Sequence, residues 1–222
     1  MILTGMATKG TDYIPAMHYE ELNPLFDPGM RYLMREHIFK EDIVRNLDLR
    51  EEQLVLDVGC GSGTLALMIK TSAASTNVVG VDIDKSIIEI AQEKTRRVGK
   101  DLSLQIGSAT DLPYRDAAFD RVATSLAFHH LNREQKERAL DEIKRVLAPG
   151  GKLILADFGP PSNFVMRTLT FVTGLMEDIE DNVKERIPEM LKRAGFFNVR
   201  RVGRHDTLMG TIVLLKAEKE AA

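Results

Sequence analysis

The sequence predicts an α/β protein, a mostly parallel sheet with helices on both faces. Three observations lead there. Short apolar runs recur at 53–58, 77–82, 102–106, 119–124 and 152–157, and segments of helical spacing separate most of them. The first run ends in a glycine-dense turn that feeds directly into a helical pattern. The chain has 222 residues and is 44% hydrophobic, enough to fill one large core.

Residues 1–18 show no clear period, and Leu22 to Gly29 is rich in turn formers. A helix is expected from Met30 to about Asn46, with Met30, Leu33, Met34, His37, Ile38 and Ile43 as its apolar positions. It reads as a cap, residues 1–48, ahead of a main domain at 49–222. The main domain opens with strand Gln53–Val58 and helix Ser62–Thr71. Strand Asn77–Asp82 follows, then helix Lys85–Val98, where Ile87, Ile88, Ala91 and Thr95 make one face and Gly99 is a stop. Strand Leu102–Ile106 leads through a loop to strand Phe119–Thr124. Helix Arg133–Leu147 buries Leu140, Ile143 and Leu147, and Pro149-Gly150-Gly151 is expected to end it before strand Lys152–Asp157. The rhythm then changes. Residues 158–182 read as a helical insertion, with an apolar stretch from Asn163 to Met176 and an acidic run from Glu177 to Asp181. Helix Val183–Ala194 places Ile187, Met190, Leu191 and Ala194 at i, i+3, i+4 and i+7. Strands Asn198–Gly203 and Thr207–Lys216 read as a closing antiparallel hairpin.

Composition narrows the function classes. Acids outnumber bases 33 to 30, a net charge of -3, which does not suit bulk electrostatic binding of nucleic acid. The single cysteine, Cys60, allows no intrachain disulfide and no cysteine metal cluster, which fits a reducing cytoplasmic setting. No apolar run approaches the roughly 18 residues needed to cross a bilayer. The first residues lack the order of a secretory signal.

Four places could carry chemistry. The turn Asp57-Val58-Gly59-Cys60-Gly61-Ser62-Gly63 brings bare backbone and helix-start amides to the carboxyl edge of the sheet, with the Asp57 carboxylate beside them. Gly61 to Ala66 also fits the loose dinucleotide pattern G-x-G-x-x-A, and a turn that merely packs strand on helix is the plainer reading of such a match. Asp82 ends the second strand, 21 residues after Gly61, where a carboxylate can accept both hydroxyls of a ribose. Asp82 or Asp84 could instead cap the helix at Lys85, and the two roles can be divided between them. Gly107-Ser108-Ala109 follows the third strand, with room for a flat base. The fourth strand leads through Ser125 and Leu126 to His129 and His130, which can titrate near neutrality or simply fill space. Adjacent histidines with no third ligand at a recognisable spacing argue against a metal.

Leu56 to Gly63 resembles the first motif of class I S-adenosylmethionine-dependent methyltransferases. Gly80-Val81-Asp82-Ile83-Asp84 resembles their acidic second motif, and Leu147-Ala148-Pro149-Gly150-Gly151-Lys152-Leu153 their turn into the fifth strand. Phe119-Asp120-Arg121-Val122 and Phe128-His129-His130-Leu131 are similar to the type-11 and ubiquinone/menaquinone C-methyltransferase-like group. The resemblance implies a three-layer, Rossmann-like, seven-stranded sheet of order 3-2-1-4-5-7-6 with the last strand antiparallel. It implies S-adenosyl-L-methionine as cofactor, with S-adenosyl-L-homocysteine as product. Asp57, Gly59, Cys60 and Gly61 would line its methionine and ribose part. Asp82 would hold the ribose hydroxyls, Ile83 would pack on the adenine, Ser108 and Ala109 would sit at the adenine edge, and Ser125 and Leu126 would lie near the sulfonium. Ser108 departs from the acid common in related sequences. His130 and His129 are the candidate catalytic residues.

Methyl transfer from a sulfonium is an in-line displacement that needs alignment and exclusion of water more than acid–base strength. The acceptor site of this fold would be built from residues 12–46 and 158–182, which are apolar with aromatic positions. They lean toward a small, partly apolar acceptor such as a quinone precursor. The partners expected are that small molecule, no nucleic acid, and at most a second copy of the chain. Two other readings compete: a nicotinamide-dependent oxidoreductase using the same turn, and a non-catalytic module that only binds cofactor.

Overall fold

The computed structural model describes residues 36–100, 102–162 and 186–221. Most of the expected cap, residues 1–35, and most of the expected insertion, residues 163–182, lie outside these. In chain order the elements are α1 (Glu36–Asn46), β1 (Leu54–Val58), α2 (Thr64–Ser72), β2 (Asn77–Asp82), α3 (Lys85–Arg97), β3 (Ser103–Ile106), β4 (Phe119–Ser125), a 3-10 turn (Phe128–His130), α4 (Arg133–Val146), β5 (Leu147–Phe158), α5 (Arg186–Arg193), β6 (Phe197–Thr207) and β7 (Gly210–Glu218). Among the described residues the strands form one seven-stranded sheet of order β3-β2-β1-β4-β5-β7-β6. Neighbours from β3 through to β5 are parallel, and β7 runs antiparallel to both β5 and β6. This is the order expected.

The central strands are apolar throughout because both faces are covered. Leu56 and Val58 of β1 join one core with Leu140, Ile143 and Val146 of α4 and Leu191 of α5. Val55 joins the other, with Leu65 and Ile69 of α2 and Phe39 and Ile43 of α1. The two-residue period therefore puts Asp57 on the Val55 face, toward α1 and α2.

Three local expectations are corrected. The inward positions of α1 are Phe39, Ile43 and Leu47, each fully buried, whereas His37 is exposed and Ile38 is 42% exposed. Spacing of four keeps Phe39, Ile43 and Leu47 on one stripe, and Ile38 falls outside it. Pro149-Gly150-Gly151 does not form a separate turn: β5 starts at Leu147, one residue after α4 ends. Pairing of Phe119 with Leu147 and a bulge beyond it absorb the glycines into the strand. Lys219 closes the junction, its Nζ donating to the carbonyls of Lys144 and Leu147 at 2.8 and 2.6 Å. Finally, the hairpin turns at Leu208-Met209, so β6 runs on through residues 204–206.

The far end of α1 is fastened to the amino-terminal edge of the sheet. Arg121, buried near the start of β4, donates from Nε to the Leu47 carbonyl at 2.7 Å. Asp48 accepts from Lys152 at 2.8 Å and from Lys216 at 2.6 Å. Those two hydrogen bonds, Lys152 first, hold its carboxyl down at about 2.

Candidate active site

The site lies where the carboxyl ends of β1, β2, β4 and β5 meet. Val58 pairs with Val81 and with Thr124, and Ser125 pairs with Ala156, so these ends are level. The glycine turn is stapled to β2: the amides of Gly59 and Cys60 donate to the Val81 carbonyl at 2.8 and 3.0 Å. Gly59, Gly61 and Gly63 all have positive φ, between 50° and 72°. The reason for glycine differs between them. A Cβ on Gly59 would stand 2.5 Å from the Ala127 Cβ, so the turn needs that space for the loop after β4. A Cβ on Gly61 would meet nothing within 4 Å, so Gly61 borders an open cradle.

Asp57 is 1% exposed, and neither carboxylate oxygen has a hydrogen-bond partner. Its carboxyl is pushed up to about 7, first by burial, with the Asp82 charge adding and Lys40 opposing. Lys40 and the Ala66 amide offset this burial only in part, which leaves the carboxylate able to take a further donor from a ligand. Asp82 is arranged differently. Its Oδ2 accepts from the Gly61 amide at 2.8 Å and its Oδ1 from the Asp84 amide at 3.0 Å. These bonds fix the carboxylate at the rim of the cradle and leave each oxygen a further lone pair for a hydroxyl. Burial raises its pKa, and the Asp84 and Gly61 amides oppose that. Asp84 caps α3, its Oδ1 accepting from the Ser86 amide at 2.8 Å, which leaves the Asp82 carboxylate outside the cap. Ile83, beside Asp82, leaves 40% of its surface exposed. Cys60 enters the turn through its backbone. Its thiol is packed under Gly80 and driven well above the usual thiol range, first by burial and then by Asp57 and Asp82.

Ser108 and Ala109 lie just past β3. The Ser108 hydroxyl is already engaged with the Thr110 hydroxyl at 2.8 Å, and Ala109 packs on the core beside Leu112. Across the cradle the Ser125 Oγ is buried with no partner, and Leu126 takes φ +55° while its amide donates to the Ala156 carbonyl at 2.8 Å. A left-handed leucine is strained, and here that strain turns the chain sharply into the histidine turn.

The two histidines separate in role. His129 is 5% exposed, and its Nδ1 lies 2.8 Å from Asp157 Oδ1. Asp157 also accepts from the amides of Phe128 at 2.7 Å, His129 at 3.2 Å and Phe158 at 2.7 Å. Burial alone would raise the Asp157 carboxyl; His129 and these amides outweigh it and hold it low. His130 is exposed, with its ring centroid 4.0 Å from that of His129. Adjacency on a 3-10 turn thus brings the rings together, where a helix or strand would have pointed them apart. Desolvation first, and then the His129 charge, pull the His130 pKa below the usual imidazole value, toward about 4; contact with water tempers that pull. Among the described residues no group of three or more His, Cys, Asp or Glu could hold a metal. Asp157 was visible in the sequence only as an acid ending a strand, and its partner was not legible, because the 28 residues between them fold through α4.

The cradle therefore has a buried carboxylate lacking a partner at one end, a carboxylate fixed by amides at its rim and an exposed apolar side chain next to it. Those features fit an amino-acid nucleoside and offer no special place for a pyrophosphate. The family described as "Methyltransferase domain" matches residues 55–151. The chain is 35% identical over 173 residues to a demethylmenaquinone methyltransferase of Thermus thermophilus, covering 72% of this chain and 74% of that protein. It is 32% identical over 207 residues to a demethylmenaquinone methyltransferase of Lactobacillus johnsonii, covering 83% and 82%. A solved SAM-dependent methyltransferase from Methanosarcina mazei shares the fold with a TM-score of 0.68 at 21% identity, covering 81% of this chain and 98% of that one. The oxidoreductase reading is not favoured. The chain belongs to the class I S-adenosylmethionine-dependent methyltransferases, in their ubiquinone/menaquinone C-methyltransferase-like group.

Proposed function

We propose that this methyltransferase transfers its methyl group to a ring carbon of a small, partly apolar quinone precursor, with His130 as the base. The observation that carries the reading is the pairing of an exposed, neutral His130 with a buried His129–Asp157 couple at the edge of β4 and β5. A ring carbon becomes a good nucleophile only as a neighbouring hydroxyl loses its proton, and a neutral imidazole can take that proton. The buried couple holds the histidine turn in place. The cofactor supplies a methyl group already activated on a sulfonium. Asp57 would bind the cofactor's ammonium, Asp82 its ribose hydroxyls, and Ile83 would cover its adenine, with Ala109 at the adenine edge. Ser108 shares its hydroxyl with Thr110 and keeps one further hydrogen-bonding site for the adenine edge. Ser125 and Leu126 would flank the methyl. The demethylmenaquinone methyltransferases among its relatives support the acceptor class. Acceptor choice is assigned to residues 12–46 and 158–182, within the division into a cap at 1–48 and a methyltransferase domain at 49–222. Among the described residues no helix is long and apolar enough to cross a membrane. A lone buried thiol supports work in the cytoplasm.

The test is transfer of labelled methyl from S-adenosylmethionine to a demethylated naphthoquinol, beside phenol, amine and RNA pools. Label is expected on the ring carbon of the quinol alone. His130→Ala should lower kcat at least tenfold and leave S-adenosylhomocysteine affinity within about twofold. Label on an amine, or an unchanged kcat, would refute the acceptor class or the base respectively.

A further inference from the structure

The methionine end of the cofactor carries two charges, and the glycine turn answers only one of them. Asp57 can take the ammonium; the one cation that the described residues set on the turn, Lys94, is engaged by the Ser62 carbonyl and the Thr64 hydroxyl. Helix α1 brings one. It has 11 residues, about 16 Å at 1.5 Å per residue, and its far end is pinned at the amino-terminal edge of the sheet by Arg121, Lys152 and Lys216. β1 has five residues and a similar length, about 16 Å. Phe39 and Ile43 of α1 share a core with Val55, on the Asp57 face, and Lys40 stands seven residues, about 10 Å, before the pinned end at Leu47, which brings it level with Asp57. There Lys40 is only 7% exposed, though lysine is rarely so buried without a reason. Its hydrogen-bond partner is Glu36, one turn earlier. An ammonium has three donors, so Glu36 holds Lys40 and leaves donors for another acid.

We propose that Lys40 is the counter-ion for the carboxylate of the methyl donor's methionine moiety, so that helix α1 completes the cofactor site. Lys40 and Asp57 then form a cation–anion couple matched to the zwitterion of an amino acid, with Glu36 as a positioning residue for Lys40. The effect of Lys40 on the Asp57 carboxyl, the largest that lowers it, agrees with this placement. The inference rests on the cofactor reading above.

Calorimetric titration of the full chain with S-adenosylmethionine and with decarboxylated S-adenosylmethionine tests it, since the two ligands differ only in the carboxylate. Lys40→Met is expected to weaken S-adenosylmethionine about 10- to 100-fold and to change the decarboxylated ligand less than about twofold, with Lys40→Arg close to wild type. If Lys40→Met does not fold, Lys40→Gln serves in its place. Equal loss for both ligands, as a purely structural lysine would give, overturns the proposal. So does no loss for either. Wild-type protein that binds neither ligand would overturn the cofactor reading itself, a distinguishable failure.

Discussion

Asp57→Asn should make this protein more stable and a poorer binder at once. The wild-type carboxyl is buried, lacks a partner and is raised from 3.8 to about 7. Ionising it inside the fold therefore costs about 4 kcal/mol above pH 7, at 1.36 kcal/mol per pH unit. An asparagine of the same shape removes the charge but keeps an unsatisfied amide, worth about 1–3 kcal/mol of penalty. The net gain expected at pH 8 is about 1–3 kcal/mol, or roughly 2–12 °C in Tm for a chain of this size. The sign with pH is fixed. A carboxyl raised on folding binds more protons in the native state, so wild-type stability falls as pH rises from about 4 to 7. The amide of the variant does not titrate and has no such dependence. The Tm advantage of the variant should then grow by about 2 kcal/mol, some 4–8 °C, between pH 5.5 and 8. Thermal unfolding of both proteins at the two pH values, without ligand, measures it. An advantage that is constant with pH, or larger at pH 5.5, would refute the claim that the burial of Asp57 is only partly offset by Lys40. In parallel the variant should bind S-adenosylmethionine about 10- to 100-fold more weakly, because the ammonium loses its charged partner.

Other substitutions separate packing from binding. Gly61→Ala meets no atom within 4 Å, so the variant should fold, lose about 1–2 kcal/mol to its left-handed φ, and bind S-adenosylhomocysteine poorly as the methyl fills the cradle. Gly59→Ala, whose Cβ would stand 2.5 Å from that of Ala127, should instead lower Tm outright, and chemical denaturation distinguishes the two. Asp157→Asn removes one partner of a buried pair and should cost about 3–5 kcal/mol of stability, read by denaturation, with a steep fall in kcat in the fraction that remains folded.

The alternation of strand and helix and the glycine turn were legible because their signals are local, whereas the sheet order came only with the family resemblance those motifs carry. Alternating strand and helix, Asp82 at a strand end and the closing hairpin each sit within a few residues of the feature they determine. What escaped the sequence depends on pairs far apart. His129 and Asp157 are 28 residues apart, and nothing in either segment names the other. The burial of Lys40 was not legible either, because nothing near it in the sequence marks a lysine for the interior. The apolar face of α1 was misjudged for a related reason. Ile38 looked like core, yet the turn geometry from Phe39 to Leu47 leaves it at the surface. Gly150 and Gly151 are punctuation in most contexts; here the Lys219 ammonium and the bulge beside Phe119 draw them into β5.

The contact between Gly59 and Ala127 acts as a spacer between the two halves of the site. One half is the glycine turn, the other carries the imidazoles, and the Ala127 methyl stands between them. Widening that methyl to the branched side chain of valine would wedge the halves apart, while trimming it to hydrogen would slacken their register. Residue 127 carries no polar group, yet its size sets how closely the loop after β4 can approach the glycine turn.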